Sequence, residues 1–496
     1  MTAGSGAVAG ATAPDLLDTS AAGAVAIRGG ALRIAGYALG VGVSVASSAI
    51  LLRHLGVVAA GEYVTVVSLV SLAVGITDAG LATIGVRELS TLPAHAARGF
   101  YRSLNGLRLV FSLGALLFAL ALAFLSGYST TLVLGTLLAG CGFLLQTTQV
   151  TYMLPLLARL GLGWVTAVEL LKQIGTALGT VALVVAGAPL LPFWAVSIPA
   201  GLAATALGAL LVGRSMPLLP NFDRGAWRPL LRGTLPYSLA TAVGVVYFRL
   251  AILIMSHVAS GQQTGYYGAS FRIIEVLFVV PQLIVGSILP IFSRAARDDR
   301  GRLDYALGRT FEACLLLGLA AALSLGTGAS FIIAVVAGQK FAPAADVLRI
   351  QGIALIATFT AAVFSYGLLS LGRYREVLLI NLTVLLLSGV LTGVLASNHG
   401  ALGAAAATTV IEIFYAAILA VALVRAGSRP HVALARVPRP VFAALLGTLA
   451  LVPPNLASIA RPALAMTIYC VALLALGAVP KELLVQIPGL RRLRPQ

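Results

Sequence analysis

Charge is scarce in this chain of 496 residues: Asp, Glu, Lys and Arg make up 10% of it, while 59% is hydrophobic. That shortage excludes the two or three soluble domains that length alone would suggest. Cysteine is nearly absent, with Cys141, Cys314 and Cys470 scattered singly through apolar runs. An odd, dispersed set gives neither a disulfide framework nor metal-ligand spacing, and the three read as small packing residues. The five histidines, at 54, 95, 257, 399 and 431, are equally dispersed and define no metal site. No glycine-rich loop followed by Lys and Ser/Thr is present, so no ATP site and no cofactor is expected. Residues 1 to about 30 are small and weakly polar and lack a basic start followed by an apolar core. They read as a mobile tail rather than a signal peptide.

What the chain has instead is apolar length. Mean hydropathy is +1.00, and runs of about 20 apolar residues recur from end to end, each able to cross a hydrocarbon layer about 30 Å thick. Lipid offers no partner to a bare backbone group, so the crossings must be helices. The fold class expected is therefore an all-α polytopic membrane protein. Spans fall near 33–53, 62–86, 105–126, 131–154, 163–186, 190–213, 234–257, 264–292, 309–337, 348–370, 377–396, 401–424, 440–458 and 462–479. That is about fourteen helices.

The net charge of +17 does not point to nucleic acid, because its distribution marks one membrane face. Arg87, Arg98 and Arg102 follow the second span, Arg214, Arg224, Arg228 and Arg232 the sixth, Arg294, Arg297, Arg300, Arg302 and Arg309 the eighth, and Arg425, Arg429, Arg436 and Arg439 the twelfth. The alternate connections, such as GYSTT, AGAPL and SNHG, are short and nearly free of Lys and Arg; only Lys340 and Arg461 break the pattern. Cytoplasmic loops carry the excess of Lys and Arg, which places both termini in the cytoplasm.

A repeat is visible. Gly61–Tyr63 (GEY) opens a span that ends in VRELS, and Gly265–Tyr267 (GYY) opens one that ends in FSRAAR. Six spans separate them. Six is even, so the repeat is parallel, about an axis along the membrane normal, and a binding site is expected at the repeat interface near mid-depth. The expected division is a tail at 1–31, a first lobe at 32–213, a cytoplasmic linker at 214–233, a second lobe at 234–425, two further spans in 426–480 and a tail at 481–496.

The run RHLGVVAAGEYVTVVSLVSLAVGITDAGLATIGVREL, with R-x-LG, G-x-Y, D-x-GL and R-E-L-S in order, resembles the start of polysaccharide (oligosaccharidyl-lipid) flippases of the multidrug/oligosaccharidyl-lipid/polysaccharide exporter superfamily. LPYSLATAVGVVYFRLAILIMS, FAPAADVLRIQG and LLSLGRYREVLLIN continue the resemblance, which covers about 33–425. It implies two six-helix lobes around a central cavity, two additional C-terminal helices, and movement of a lipid-linked oligosaccharide between leaflets. The partners implied are a polyprenyl-diphosphate oligosaccharide and membrane lipids, with glycosyltransferases or a polymerase of the same pathway as candidate protein partners. One departure stands out: many members carry an acid shortly after the arginine of the seventh span, where this chain has Ala251.

Charges inside spans are costly and face a cavity or a partner. Arg249 sits in VYFRLAILI with only Val245, Val246, Ile252 and Leu253 on its helix face. Arg272 lies at similar depth in the next span. The bland reading pairs Arg249 with Glu275 or Glu412; the functional reading is a cationic site for a diphosphate, since guanidinium binds phosphate oxygens through a planar fork. Arg53, at the outer end of the first span, joins that site by the repeat, and Lys172 is a further substrate-binding candidate. Glu169 and Lys172, like Arg272 and Glu275, are three apart and either pair along a helix or line the cavity. Asp78 is expected to make a structural or gating pair, with Arg87 or an adjacent helix. Glu412, alone on its helix, is a candidate proton or cation site. Gln146, Gln149, Gln173, Gln282 and Asn381 suit either a wet cavity or interhelical hydrogen bonds.

With no ATP site, transport energy would come from an ion gradient, the membrane potential or the substrate gradient. A cation-coupled drug exporter of the same superfamily is the first alternative, but it needs buried acids that the first and seventh spans lack. A membrane enzyme acting on lipid-linked sugars is the second, and the outer connections are too short to carry its chemistry.

Overall fold

A computed structural model describes residues 22–78, 80–429, 437–451 and 458–478. Most of the expected N-terminal tail (1–21), the C-terminal tail (481–496) and the side chains of Asp78 and Pro236 lie outside the described residues. In chain order the helices are α1 (Ala22–Asp78), α2 (Leu81–Thr91), α3 (Ala94–Leu125), α4 (Thr130–Ala158), α5 (Leu162–Val185), α6 (Leu190–Ala195), α7 (Ser197–Val212), α8 (Arg224–Val258), α9 (Gly261–Asp298), α10 (Arg300–Val336), α11 (Ala344–Ser370), α12 (Tyr374–Arg425), α13 (Pro438–Gly447) and α14 (Ala460–Ala475). No strand occurs among the described residues.

Two of these helices hold two spans each. At Gly56 the backbone takes φ 74° and ψ −178° inside α1, a conformation open to a residue without Cβ. The halves of α1 fold back on one another, because Ser48 and Tyr63 line the same cavity. Gly400 (φ 57°, ψ −134°) does the same in α12, where the Tyr415 hydroxyl of the second half donates to Asn381 Oδ1 of the first at 2.9 Å. Nine described helices are long and apolar enough to cross a membrane. Shorter apolar helices lie at Ala242–Val258, Pro438–Leu451 and Ala460–Ala475, so that, with the two reversals, a helix stands at each of the fourteen expected apolar segments among the described residues.

Several boundaries differ from the expectation: α1 already begins at Ala22, inside the tail expected at 1–31, and α3 and α10 begin at Ala94 and Arg300 rather than near 105 and 309. Three other differences have a local cause. The second span stops at Asp78, and α2 continues it as a separate helix with Gly80 in left-handed conformation before its first turn. The sixth span is interrupted between α6 and α7, where Pro199 has no N–H to return to the Ala195 carbonyl. The seventh begins ten residues early, at Arg224, because Asp223 caps it: its Oδ1 accepts from the Gly225 amide at 2.8 Å. The segment before that cap is pinned to α3, with Asn105 Nδ2 donating to the Leu218 carbonyl at 2.7 Å.

Helices α3 to α6 pack on α1, and α7 packs on α4 and α5; helices α8 to α12 pack with one another, α1 also packs against α8 and α9, and α13 and α14 lie on α10. Water does not drive helices together inside a bilayer, so close packing of small residues must do it. The junction of the halves shows this most plainly. A Cβ placed on Gly61 would stand 2.6 Å from the Gly261 carbonyl oxygen, and one on Gly265 would stand 2.0 Å from the Val57 carbonyl oxygen. Gly261 and Gly265 are four apart on one face of α9, so two glycines of the second half receive one of the first. The repeat-related Gly61 and Gly265 thus meet face to face, as elements beside a parallel two-fold axis do.

Two further contacts tie the halves at this same end. Arg53 donates to the carbonyls of Ala334 (3.1 Å) and Val335, in the last turn of α10. The Tyr128 hydroxyl, between α3 and α4, meets Ser256 Oγ at 2.5 Å and His257 Nδ1 at 3.2 Å on α8.

Candidate functional site

The lone arginine of the seventh span has a partner. Arg249 on α8 pairs with Glu275 Oε1 on α9, and Arg272 Nη1 pairs with Oε2 of the same carboxylate at 2.8 Å. One acid therefore holds two cations. Arg249 is also backed by the rings of Phe248 and Phe271, whose centroids lie 5.4 and 5.7 Å from its guanidinium carbon. Cation–π contact favours a guanidinium in such a place. Of the two bland pairings, the structure selects Glu275 and not Glu412.

Arg272 faces two ways. Its remaining nitrogens donate to Ser44 Oγ at 2.9 Å and Ser48 Oγ at 3.2 Å, both on α1. These serines are one helical turn apart, so one guanidinium spans them. The side chain is 38% exposed, against 14% for Arg249, because it opens onto a cavity of about 290 Å³ bounded mainly by α1, α4 and α5. Lys172, Gln146 and Gln173 line that cavity together with Tyr63 and Trp194. Tyr63 and Trp194 stack with an interplanar angle of 5°. Two buried polar atoms there have no partner, Gln173 Oε1 and Trp194 Nε1. No Asp or Glu lines it among the described residues.

The other candidates are placed as follows. Arg53 is committed to the carbonyls that end α10 and does not line the cavity. Glu169 lies one turn from Lys172 on α5, and the two form no ion pair within 4.0 Å among the described residues. Asp78 ends the α1 helix. Glu412 is 3% exposed and sits apart, in the second half, on a small cavity of about 30 Å³. Its carboxylate accepts from the Tyr247 hydroxyl at 2.6 Å and the Thr358 hydroxyl at 2.8 Å. Gln351 Oε1, on the same small cavity, has no partner. Ala251, where the resemblance led us to look for an acid, also lines it.

Sequence reasoning did not place Ser44, Ser48, Tyr63, Trp194, Tyr247 or Thr358 in the site, and met Tyr63 only as part of the repeat. For the serines a signal exists: Ser44, Ser47 and Ser48 fall three and four apart in an otherwise apolar span, a polar face with no soluble side to meet. For Trp194 none exists, since its role depends on where α6 breaks.

Three solved structures are similar to this chain in fold. A lipid II flippase MurJ, in an inward closed conformation, superposes with a TM-score of 0.72 at 11% identity, over 89% of this chain and 97% of that one. The chain has the fold of the MOP-superfamily transporters. An inward-facing MATE multidrug-resistance transporter of that superfamily gives a TM-score of 0.65 at 12% identity, over 78% of this chain and 94% of that one. A MOP-superfamily transporter from Pyrococcus furiosus gives 0.56 at 15% identity, over 81% and 95%. Structures with the MOP fold include inward-facing and outward-facing conformations. No protein-family model and no curated protein matches the sequence. The shared fold gives this chain a multi-pass helical architecture.

Proposed function

We propose that this transporter flips a polyprenyl-diphosphate-linked oligosaccharide from the cytoplasmic to the outer leaflet of the cell membrane by alternating access, for the synthesis of a surface polysaccharide. The observation that carries the proposal is the cavity: Lys172 and Arg272 on its wall, no acid among its described lining residues, and amide, hydroxyl and aromatic groups filling the remainder. Arginine and lysine in a low-dielectric site attract phosphate far more strongly than they would in water. Aromatic rings beside the amide and hydroxyl side chains of the lining suit a sugar, which has an apolar face and a polar rim. The polyprenyl chain stays in lipid while the head group enters.

In this reading both termini are cytoplasmic, from the bias of Lys and Arg between alternate loops. The Gly56 end then faces outward, and Gly61–Gly265, Arg53–α10 and Tyr128–Ser256 close it. The lobes rock about the junction, and these contacts part when the head group is released. Glu412 acts in coupling rather than in binding, since it faces its own small cavity.

A cation-coupled exporter is the second reading, favoured by Glu412 having no cationic partner within 4.0 Å among the described residues. It places a positively charged cargo beside Lys172 and Arg272, which repel it. Native mass spectrometry of the full chain separates the two. The expected result is retention of a polyprenyl-diphosphate oligosaccharide by the wild type and its loss in Arg272→Gln and Lys172→Gln. Equal retention by all three proteins refutes the site.

A further inference from the structure

Glu275 bridges Arg249 to Arg272, the one of the three that lines the cavity. The two Glu275 oxygens are taken by two guanidiniums, one oxygen each. A phosphoryl group presents the same bridging geometry with an additional oxygen, and phosphate is a strong partner for guanidinium. Two cations sharing one carboxylate leave a positive charge unmatched, whereas a diphosphate diester brings two negative charges. The groups around the pair differ in freedom: Arg249 lies against the adjoining rings of Phe248 and Phe271 and is 14% exposed, while Glu275 is 21% exposed and Arg272 borders the cavity.

We propose that Glu275 is an exchangeable counter-anion, which occupies Arg249 and Arg272 in the empty transporter and is displaced from them by a phosphate or diphosphate group. This rests on the reading of the cavity as a phosphate-binding site. The exchange has a mechanical consequence. Arg272 is also the group that joins α9 to Ser44 and Ser48 of α1, so a ligand that draws its guanidinium away loosens a contact between the two halves. Binding and rocking are thereby linked through one side chain, and the displaced acid returns to reset the site once the ligand leaves. Without Glu275 the arginines would keep an anion rather than release it.

The test measures binding of inorganic pyrophosphate to the full-length protein in nanodiscs at fixed salt, with wild type, Glu275→Gln, Glu275→Asp and Arg272→Gln. Removing a like charge from an anion site should tighten binding at least tenfold in Glu275→Gln. Glu275→Asp keeps the charge but is one methylene short of bridging both arginines, so it should bind more tightly than wild type and still fold. Its binding decides the matter if the glutamine variant is unstable. Arg272→Gln should lose binding. Pyrophosphate held no more tightly by either Glu275 variant than by wild type overturns the exchange. A polyprenyl-diphosphate oligosaccharide added to the nanodisc should displace the pyrophosphate; no displacement keeps the exchange but overturns the lipid as its source. The outcomes are separable from the transport reading. Tighter pyrophosphate binding in a protein that flips no lipid-linked sugar keeps the exchange and refutes the proposed function; flipping with no tightening does the reverse.

Discussion

Substituting Gly265 by alanine should push the protein toward a conformation in which its two halves part at the Gly56 end. The added Cβ would stand 2.0 Å from the Val57 carbonyl oxygen and 2.9 Å from the carbonyl carbon, both backbone atoms that no rotamer change can move. Ordinary contact begins at 3.4 Å, so α9 must withdraw by about 1.4 Å, the difference between 3.4 and 2.0. Overpacking of a close helix contact costs about 1–3 kcal/mol. If only the closed arrangement bears this cost, the equilibrium moves about 5- to 150-fold toward the parted one. Spin labels at Val185 and Leu402, both lipid-exposed and on opposite halves, would read this as a longer inter-label distance in a cysteine-free background. Because Gly61 meets the same helix, Gly61→Ala should act in the same direction. A distance distribution identical to wild type, in a variant that folds and inserts, would refute the claim that the two glycines form the closure.

Three further outcomes are expected. Tyr128→Phe removes the hydroxyl that reaches Ser256, a net hydrogen bond of about 1 kcal/mol, and the same labels should show a shift of about fivefold toward the parted form. Glu412→Ala leaves the Tyr247 hydroxyl without its acceptor and opens space in a packed core, so thermal unfolding in detergent should report a loss of about 2 kcal/mol or more, while Glu412→Gln, which keeps the shape, should cost under about 1 kcal/mol. Trp194→Phe deletes a buried N–H that has no partner in the protein; stability should hold or rise by up to about 1 kcal/mol, yet transport of a glycosylated substrate should fall, and transport equal to wild type would remove Trp194 from the site.

The fold was largely readable because the bilayer leaves few choices. Apolar length and the alternation of arginine between loops gave fourteen crossings, and the two reversals at Gly56 and Gly400 fell where the short connections HLGVVAAGE and SNHG stood. Helix ends were less readable, because they depend on local chemistry within the apolar pattern: the Asp223 cap, the break before Pro199 and the turn at Gly80. The buried charges were found from sequence, since an ion inside a span announces itself. Their pairing was not. Arg249 had two acids within plausible depth, and only the packing of α8 against α9 brings Glu275 to it. Arg53 shows the limit of the repeat as a guide: by analogy it belonged with Arg249, but its long side chain reaches the end of α10 instead. Trp194 was invisible for a different reason, as an aromatic residue in an apolar span carries no mark of which side it faces.

Leaflet exchange in reconstituted vesicles bears most directly on the central claim. Vesicles would carry a fluorescent polyprenyl-diphosphate oligosaccharide in both leaflets, with an impermeant reagent reporting the outer pool, for wild type beside Arg272→Gln. Exchange by the wild type and its loss in the folded variant is the predicted result. No exchange of the lipid-linked sugar by the wild type, together with proton- or sodium-driven efflux of a small cation, would contradict it.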